Sequence, residues 1–220
     1  MDRVGWVARA VGIPPATLWR TPPRVLVRLL AGLWVFGAGE GLVVAAGLGT
    51  SPWTVLAQGV ERQTPLSVGE ATIVLSFALL AIWIPLQVRP GIGTLLNAVL
   101  VGVSLDATLS LLGPAPLAVR IGELAAGIAL VGVGSGLYLG AARGPGPRDG
   151  LMLGLHARTG RPLALLRGGI ELTALAAGAA LGGTVGVGTL AFALLVGPAV
   201  ATGLRVIGPA REPLPRGPAA

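Results

Sequence analysis

The sequence predicts an all-α polytopic membrane protein: six transmembrane helices in two three-span repeats of inverted topology, with two short half-helices. Three observations carry that prediction. Of 220 residues, 53% are hydrophobic and 11% charged, and the mean hydropathy is +0.81; a soluble domain carries about 25% charged residues. The charges gather in clusters, and the apolar runs between them reach about 20 residues, enough to cross a bilayer as helices. Finally, the chain aligns with itself without a gap at an offset of 95 residues.

The self-alignment is densest between residues 37 and 64. There ten of 28 positions are identical to their mates, against roughly three by chance for this composition. Gly37, Gly39, Gly41 and Leu42 fall on Gly132, Gly134, Gly136 and Leu137. Gly49, Pro52, Leu56, Gly59 and Thr64 fall on Gly144, Pro147, Leu151, Gly154 and Thr159, and Gly91–Leu95 falls on Gly186–Leu190.

Residues 1–24 hold Arg3, Arg9, Arg20 and Arg24 against one acid, Asp2. They are expected to form a basic cytosolic segment on the inner leaflet, with Trp6 and Trp19 suited to the interface. The apolar run that follows carries the repeated glycines, so it is expected to belong to the mature fold rather than to a cleaved signal. Six runs read as spans, at about 26–47, 67–86, 92–112, 122–142, 163–183 and 187–207, each long enough for a bilayer. They divide into membrane repeat 1 (25–112) and membrane repeat 2 (120–207). Two pieces at about 52–63 and 147–158 begin at a proline after a glycine turn. Proline suits the first helical turn, where its missing N–H has no partner to lose. At about 12 residues each is too short to cross and reads as a half-helix, shielded by protein wherever it lies at depth. The Pro-rich, charged tail at 208–220 is expected to be disordered.

The formal charge of +7 comes from arginine, since the chain has no lysine. In a soluble protein that balance would suggest nucleic acid; beside membrane spans, topology and anionic lipid account for it, and no nucleic-acid partner is expected. The N-terminal segment, the Arg89 turn, the 143–161 loop and the tail are rich in arginine, whereas the loops at 48–66, 113–121 and 184–186 hold only Arg62 and Arg120. Both termini are therefore expected in the cytosol. Three spans per repeat is an odd number, so the second repeat enters the membrane upside down, a transporter signature. A rival arrangement, with both short pieces spanning, gives four spans per repeat and a parallel pair.

The stretch Gly144–Met152 with Gly154-Leu155 and Thr159-Gly160-Arg161 resembles the YczE family of bacterial membrane proteins, related to the YitT group. Supporting matches are Gly49–Trp53, Gly91–Asn97 and Gly182–Thr189, so the resemblance covers about residues 25–207. It implies a multi-pass protein of the bacterial inner membrane and leaves the activity open.

Glu40, Asp106 and Glu171 lie inside predicted spans. An intramembrane carboxylate is costly and normally faces a partner, a cavity or a pathway. Arg167, four residues before Glu171, shares its helix face and can pair with it. The repeat mates of Glu40 and Asp106 are Ser135 and Ala201, so the carboxylates break the symmetry of the scaffold. Arg148 and Asp149 open the second half-helix, where the helix N-terminus favours anions and Asp149 can act as a cap. With Asn97, which closes the Gly91–Asn97 match, these residues form the candidate substrate-binding set: Glu40, Asn97, Asp106, Arg148, Asp149, Arg167 and Glu171. The pairs Gly37/Gly41 and Gly132/Gly136 read as helix-packing positions, or as a hinge. The chain has no cysteine and one histidine, His156, which argues against thiolate or histidine metal sites. No nucleophile elbow or His-Glu-x-x-His motif is present, so neither an enzyme nor a cofactor is expected. The sequence points to a small secondary transporter of a small solute, with a coupling ion. A non-transporting scaffold for a partner enzyme is the alternative: polar groups converging on a cavity favour the carrier, and a sealed interior favours the scaffold.

Overall fold

The computed structural model of the protein describes residues 18–207. The basic segment expected over 1–24 lies outside the described residues as far as residue 17, and the tail expected over 208–220 lies wholly outside them. The described residues form eight α-helices and no strand: α1 (Pro23–Ala45), α2 (Pro52–Gln63), α3 (Val68–Leu86), α4 (Ile92–Leu111), α5 (Leu117–Gly140), α6 (Pro147–Thr159), α7 (Leu163–Ala180) and α8 (Val187–Ile207). All but α2 and α6 are long and apolar enough to cross a membrane. Their outer faces carry exposed side chains such as Val27, Ile84, Leu111, Leu172 and Val206, which suits a lipid surround.

Both half-helices start with proline in the first turn, as expected. The glycine before each is required by its turn. Gly49 has φ +102° and Gly144 φ +115°, and a Cβ on Gly49 would meet the backbone nitrogen of Gly186 at 2.5 Å. Each turn is held by the other half of the chain: the Gly93 N–H donates to the Arg143 carbonyl at 2.9 Å, and the Gly188 N–H to the Leu48 carbonyl at 2.7 Å.

The largest departure from the expected boundaries is α5, which begins at Leu117 rather than near 122. Hydropathy places Arg120 in a loop. In the fold it is helical, and its guanidinium reaches the end of α1, where it donates to the carbonyls of Ala46 at 2.6 Å and Gly47 at 2.9 Å. Arg28 of α1 does the converse, donating to the carbonyls of Leu137 and Gly136 near the end of α5. Carbonyls at a helix C-terminus lack intrahelical donors, and a cation there is favoured by the helix dipole as well.

α1 and α5 cross at the centre through small residues. A Cβ on Gly39 would lie 2.7 Å from the Gly127 carbonyl oxygen, and one on Gly134 would lie 2.7 Å from that of Gly32. Gly37 and Gly41 seat α4 at Ser104 and Thr108; Gly132 and Gly136 seat α8 at Ala199 and Gly203. These glycines therefore act as helix-packing positions, letting backbones approach closely. α2 packs on α7, with Gly59 against Leu181, and α6 packs on α3, with Gly154 against Leu86. Every one of these contacts recurs when both partners are shifted by 95 residues. Each half-helix is thus lodged against the other half of the chain, and its first turn points inward.

Candidate functional site

Where the two half-helices begin, the helices enclose a cavity of about 330 Å³. All eight helices contribute lining residues, and the starts of α2 (Ser51, Pro52) and α6 (Gly146–Asp149) both open on it. The remaining walls are mixed: Phe36, Val131, Val196 and Ile170 are apolar, and Thr72, Ser76 and Ser135 are polar. Phe36 and Tyr138, the single tyrosine of the chain, meet edge to face at 5.8 Å and both border the cavity.

Glu40 is 1% exposed. Its Oε2 accepts from the Thr54 hydroxyl at 2.7 Å and the Ser51 hydroxyl at 3.1 Å. Ser51 is the N-cap of α2 and also accepts from the Thr54 N–H. The α1 carboxylate therefore sits at the N-terminal end of α2, held there by the two hydroxyls of its first turn. Glu40 Oε1 has no hydrogen-bond partner.

At α6 the charges are carried by the half-helix itself. Asp149 occupies the third position of the helix and accepts from the Gly146 N–H, half of a capping box. α6 is not one of the six helices long and apolar enough to cross a membrane. Burial pushes the Asp149 carboxyl up, against the opposing pull of the Arg148 and Arg167 guanidiniums. Arg148 lies over the Trp53 ring at 5.6 Å from its centre. Trp53 Nε1 donates to Glu171 at 3.3 Å. Arg167 and Glu171 share a helix face but form no ion pair. Asn97 lies beside Gly146 at the start of α6.

Six of the seven residues singled out in the sequence line this cavity: Glu40, Asn97, Arg148, Asp149, Arg167 and Glu171. Asp106 stands apart from it. Its carboxylate accepts from the Ser67 hydroxyl at 2.5 Å and the Gly69 N–H at 2.8 Å, fastening the start of α3 to α4. Sequence reasoning did not find Ser51, Thr54, Trp53 or Tyr138. A serine before Pro52 is a readable N-cap signal, but nothing local ties it to a carboxylate on another helix.

The fold and the site together define a polytopic helical membrane protein with an internal cavity of mixed lining at the starts of its two short helices. The chain belongs to a family of unknown function, DUF6198, whose model matches residues 23–204. It is similar to an uncharacterized protein of Haemophilus influenzae, 38% identical over 209 residues that cover 94% of this chain and 92% of that protein. It is also similar to the uncharacterized membrane protein YczE of Bacillus subtilis, 38% identical over 173 residues covering 76% and 79% of the two chains. A third relative, the uncharacterized protein YyaS of Bacillus subtilis, is 26% identical over 164 residues, 72% of this chain and 82% of that protein. The resemblance to the YczE family read from the glycine-proline motifs is thus shown by overall similarity. No solved structure matches the chain.

Proposed function

We propose that the protein is a small secondary carrier of the bacterial inner membrane. It binds a small solute in the central cavity and catalyses no bond-making chemistry. The observation that carries this reading is the state of the lining charges. Two arginines and three carboxylates border one cavity, yet among the described residues no two of them with opposite sign come within ion-pair distance, and Arg148 and Arg167 act on Asp149 only through their field. Charge in a membrane interior is costly unless it is paired, hydrated or facing a ligand. An interior serving only as scaffold would be expected to close such charges on one another.

The repeat supports the same reading. In this proposal the two halves are inverted in the membrane, with both termini in the cytosol. The contacts between the halves favour a two-fold relation: Gly39 with Gly127 recurs as Gly134 with Gly32, and Gly59 with Leu181 as Gly154 with Leu86, each exchanging partners as in an isologous interface. Carriers built from inverted repeats place their site at the repeat interface, beside the ends of discontinuous helices. Glu40 and Glu171 are then candidate contacts for a coupling ion or solute, and Arg148 and Arg167 for an anionic group.

A thermal-unfolding screen of the purified protein against a broad metabolite panel tests the reading, since a ligand stabilises the state that binds it. At least one metabolite should raise the midpoint. The same compound should show counterflow in proteoliposomes, and Arg148→Gln should weaken both effects. Binding without counterflow would remove the carrier and leave a binding protein. A midpoint unmoved by the whole panel, together with co-purification of a partner enzyme, would favour the scaffold.

A further inference from the structure

Within the cavity the charged groups are not equally engaged. Asp149 is turned back on its own helix by the Gly146 N–H. Glu171 is held by Trp53. Two sets remain open to a ligand. One is Glu40 Oε1, a buried oxygen without a hydrogen-bond partner on a residue 1% exposed. The other is the pair of guanidiniums on Arg148, half-buried over the Trp53 ring, and on the exposed Arg167; among the described residues neither makes a hydrogen bond. Each guanidinium offers five N–H donors in a fork that fits a carboxylate or phosphate.

The two sets lie at different levels of α4. Gly37 and Gly41, on either side of Glu40, pack against Ser104 and Thr108, whereas Gly146, two residues before Arg148, lies beside Asn97. From 97 to 104 is seven residues, about 10 Å along a helix at 1.5 Å per residue. The wall between them is largely apolar, including Phe36, Val131 and Leu139.

We propose that the cavity takes a bipolar solute: a zwitterion whose ammonium group meets Glu40, whose carboxylate meets Arg148 and Arg167, and whose body is apolar. The inference rests on the reading of this cavity as a solute site and adds the class of solute. A purely anionic ligand would leave Glu40 Oε1 buried and without a donor, which costs free energy, and a purely cationic one would leave the Arg148 and Arg167 forks without an acceptor from the ligand. The N-termini of both half-helices fit the assignment. At α2 the positive end is already neutralised by Glu40 Oε2, leaving Oε1 to accept from a cation. At α6 the positive end and Arg148 face the anionic group together.

The test is thermal unfolding of the full chain with chemically matched probes: leucine, phenylalanine and 6-aminohexanoate, each beside its N-acetyl and its carboxamide form. The N-acetyl form keeps only the negative charge and the carboxamide only the positive. At least one zwitterion should stabilise the protein, and blocking either end should weaken its binding at least about tenfold, or 1.4 kcal/mol. Glu40→Gln should abolish discrimination against the N-acetyl form, and Arg148→Gln discrimination against the carboxamide. Arg148 is only half buried, so its variant keeps the test open should Glu40→Gln fail to fold. If a capped form binds as tightly as its parent, the bipolar inference falls and the solute site stands. If no probe of any charge class shifts the midpoint, the bipolar inference falls as well. If, in addition, the broad metabolite screen gives no ligand, the solute site falls with it.

Discussion

The two half-helices occupy equivalent places in the sequence repeat and start on the same cavity, yet they handle charge in opposite ways. α2 carries no charge in its first turn and draws a carboxylate from α1: Ser51 and Thr54 hold Glu40 there. α6 brings its own charges, Arg148 and Asp149. The mates of those residues are Trp53 and Thr54. Arg148 and Trp53 are therefore repeat mates in contact with each other. In the proposed two-fold relation, such a contact between mates would lie on the axis. There the backbone can stay alike while the side chains must differ, because two arginines would repel and two tryptophans would offer no charge.

Volume is exchanged in the same way as charge. On α2, Val55 packs against Gly178 of α7; on α6, Gly150 packs against Trp83 of α3. Val55 and Gly150 are mates, and so are Gly178 and Trp83. The larger residue has moved to the opposite side of the joint, and the Trp83 indole gains a hydrogen bond to the Pro147 carbonyl at 3.0 Å. Gly150→Ala breaks this joint and has the largest expected effect on stability. A Cβ there would overlap the six-membered ring of Trp83, which is 1% exposed. Overpacking of this kind costs about 1–3 kcal/mol or more. Thermal unfolding should show the loss, and Trp83→Leu added to Gly150→Ala should restore at least half of it. A fully stable Gly150→Ala protein would mean that the α3–α6 joint is looser than described.

A second asymmetry sharpens the comparison at smaller cost. The start of α3 is fastened by Ser67 and Asp106, whose mates Pro162 and Ala201 cannot do this for α7. Asp106→Asn keeps one acceptor oxygen and loses the other, and should cost about 0.5–1.5 kcal/mol, the range for one ordinary hydrogen bond. It should leave the affinity for any cavity ligand unchanged, because Asp106 does not line the cavity. Loss of binding at unchanged stability would return Asp106 to the site.

These two joints also mark what a sequence can reveal. The helices were legible because the apolar runs, glycine turns and first-turn prolines are local signals. Six of the seven site residues were legible as costly charges inside or beside spans. Their partners were not. Glu40 is 11 and 14 positions from the hydroxyls that hold it, and Asp106 is 39 from Ser67. The chain path that brings them together runs through the packing of α1 on α5 and of each half-helix on the opposite repeat. Arg120 misled the reading for the same reason: its acceptor belongs to another helix.

The smallest expected effect on stability belongs to the most decisive test of the comparison. Gln63 and Arg158 are repeat mates near the C-terminal ends of α2 and α6, and both are exposed. The chain has no cysteine, so Gln63→Cys or Arg158→Cys introduces one thiol into an otherwise unreactive protein. Each change removes one exposed hydrogen bond, from Gln63 to the Leu181 carbonyl or from Arg158 to that of Pro85, and should cost less than about 1 kcal/mol. If the halves are inverted with both termini inside, α2 ends on the outer side and α6 on the cytosolic side. A membrane-impermeant maleimide should then label Cys at 63 in intact cells and Cys at 158 only after permeabilisation. The reverse pattern would keep the inversion and turn the protein over. Labelling of both from one side would mean that the repeats are parallel.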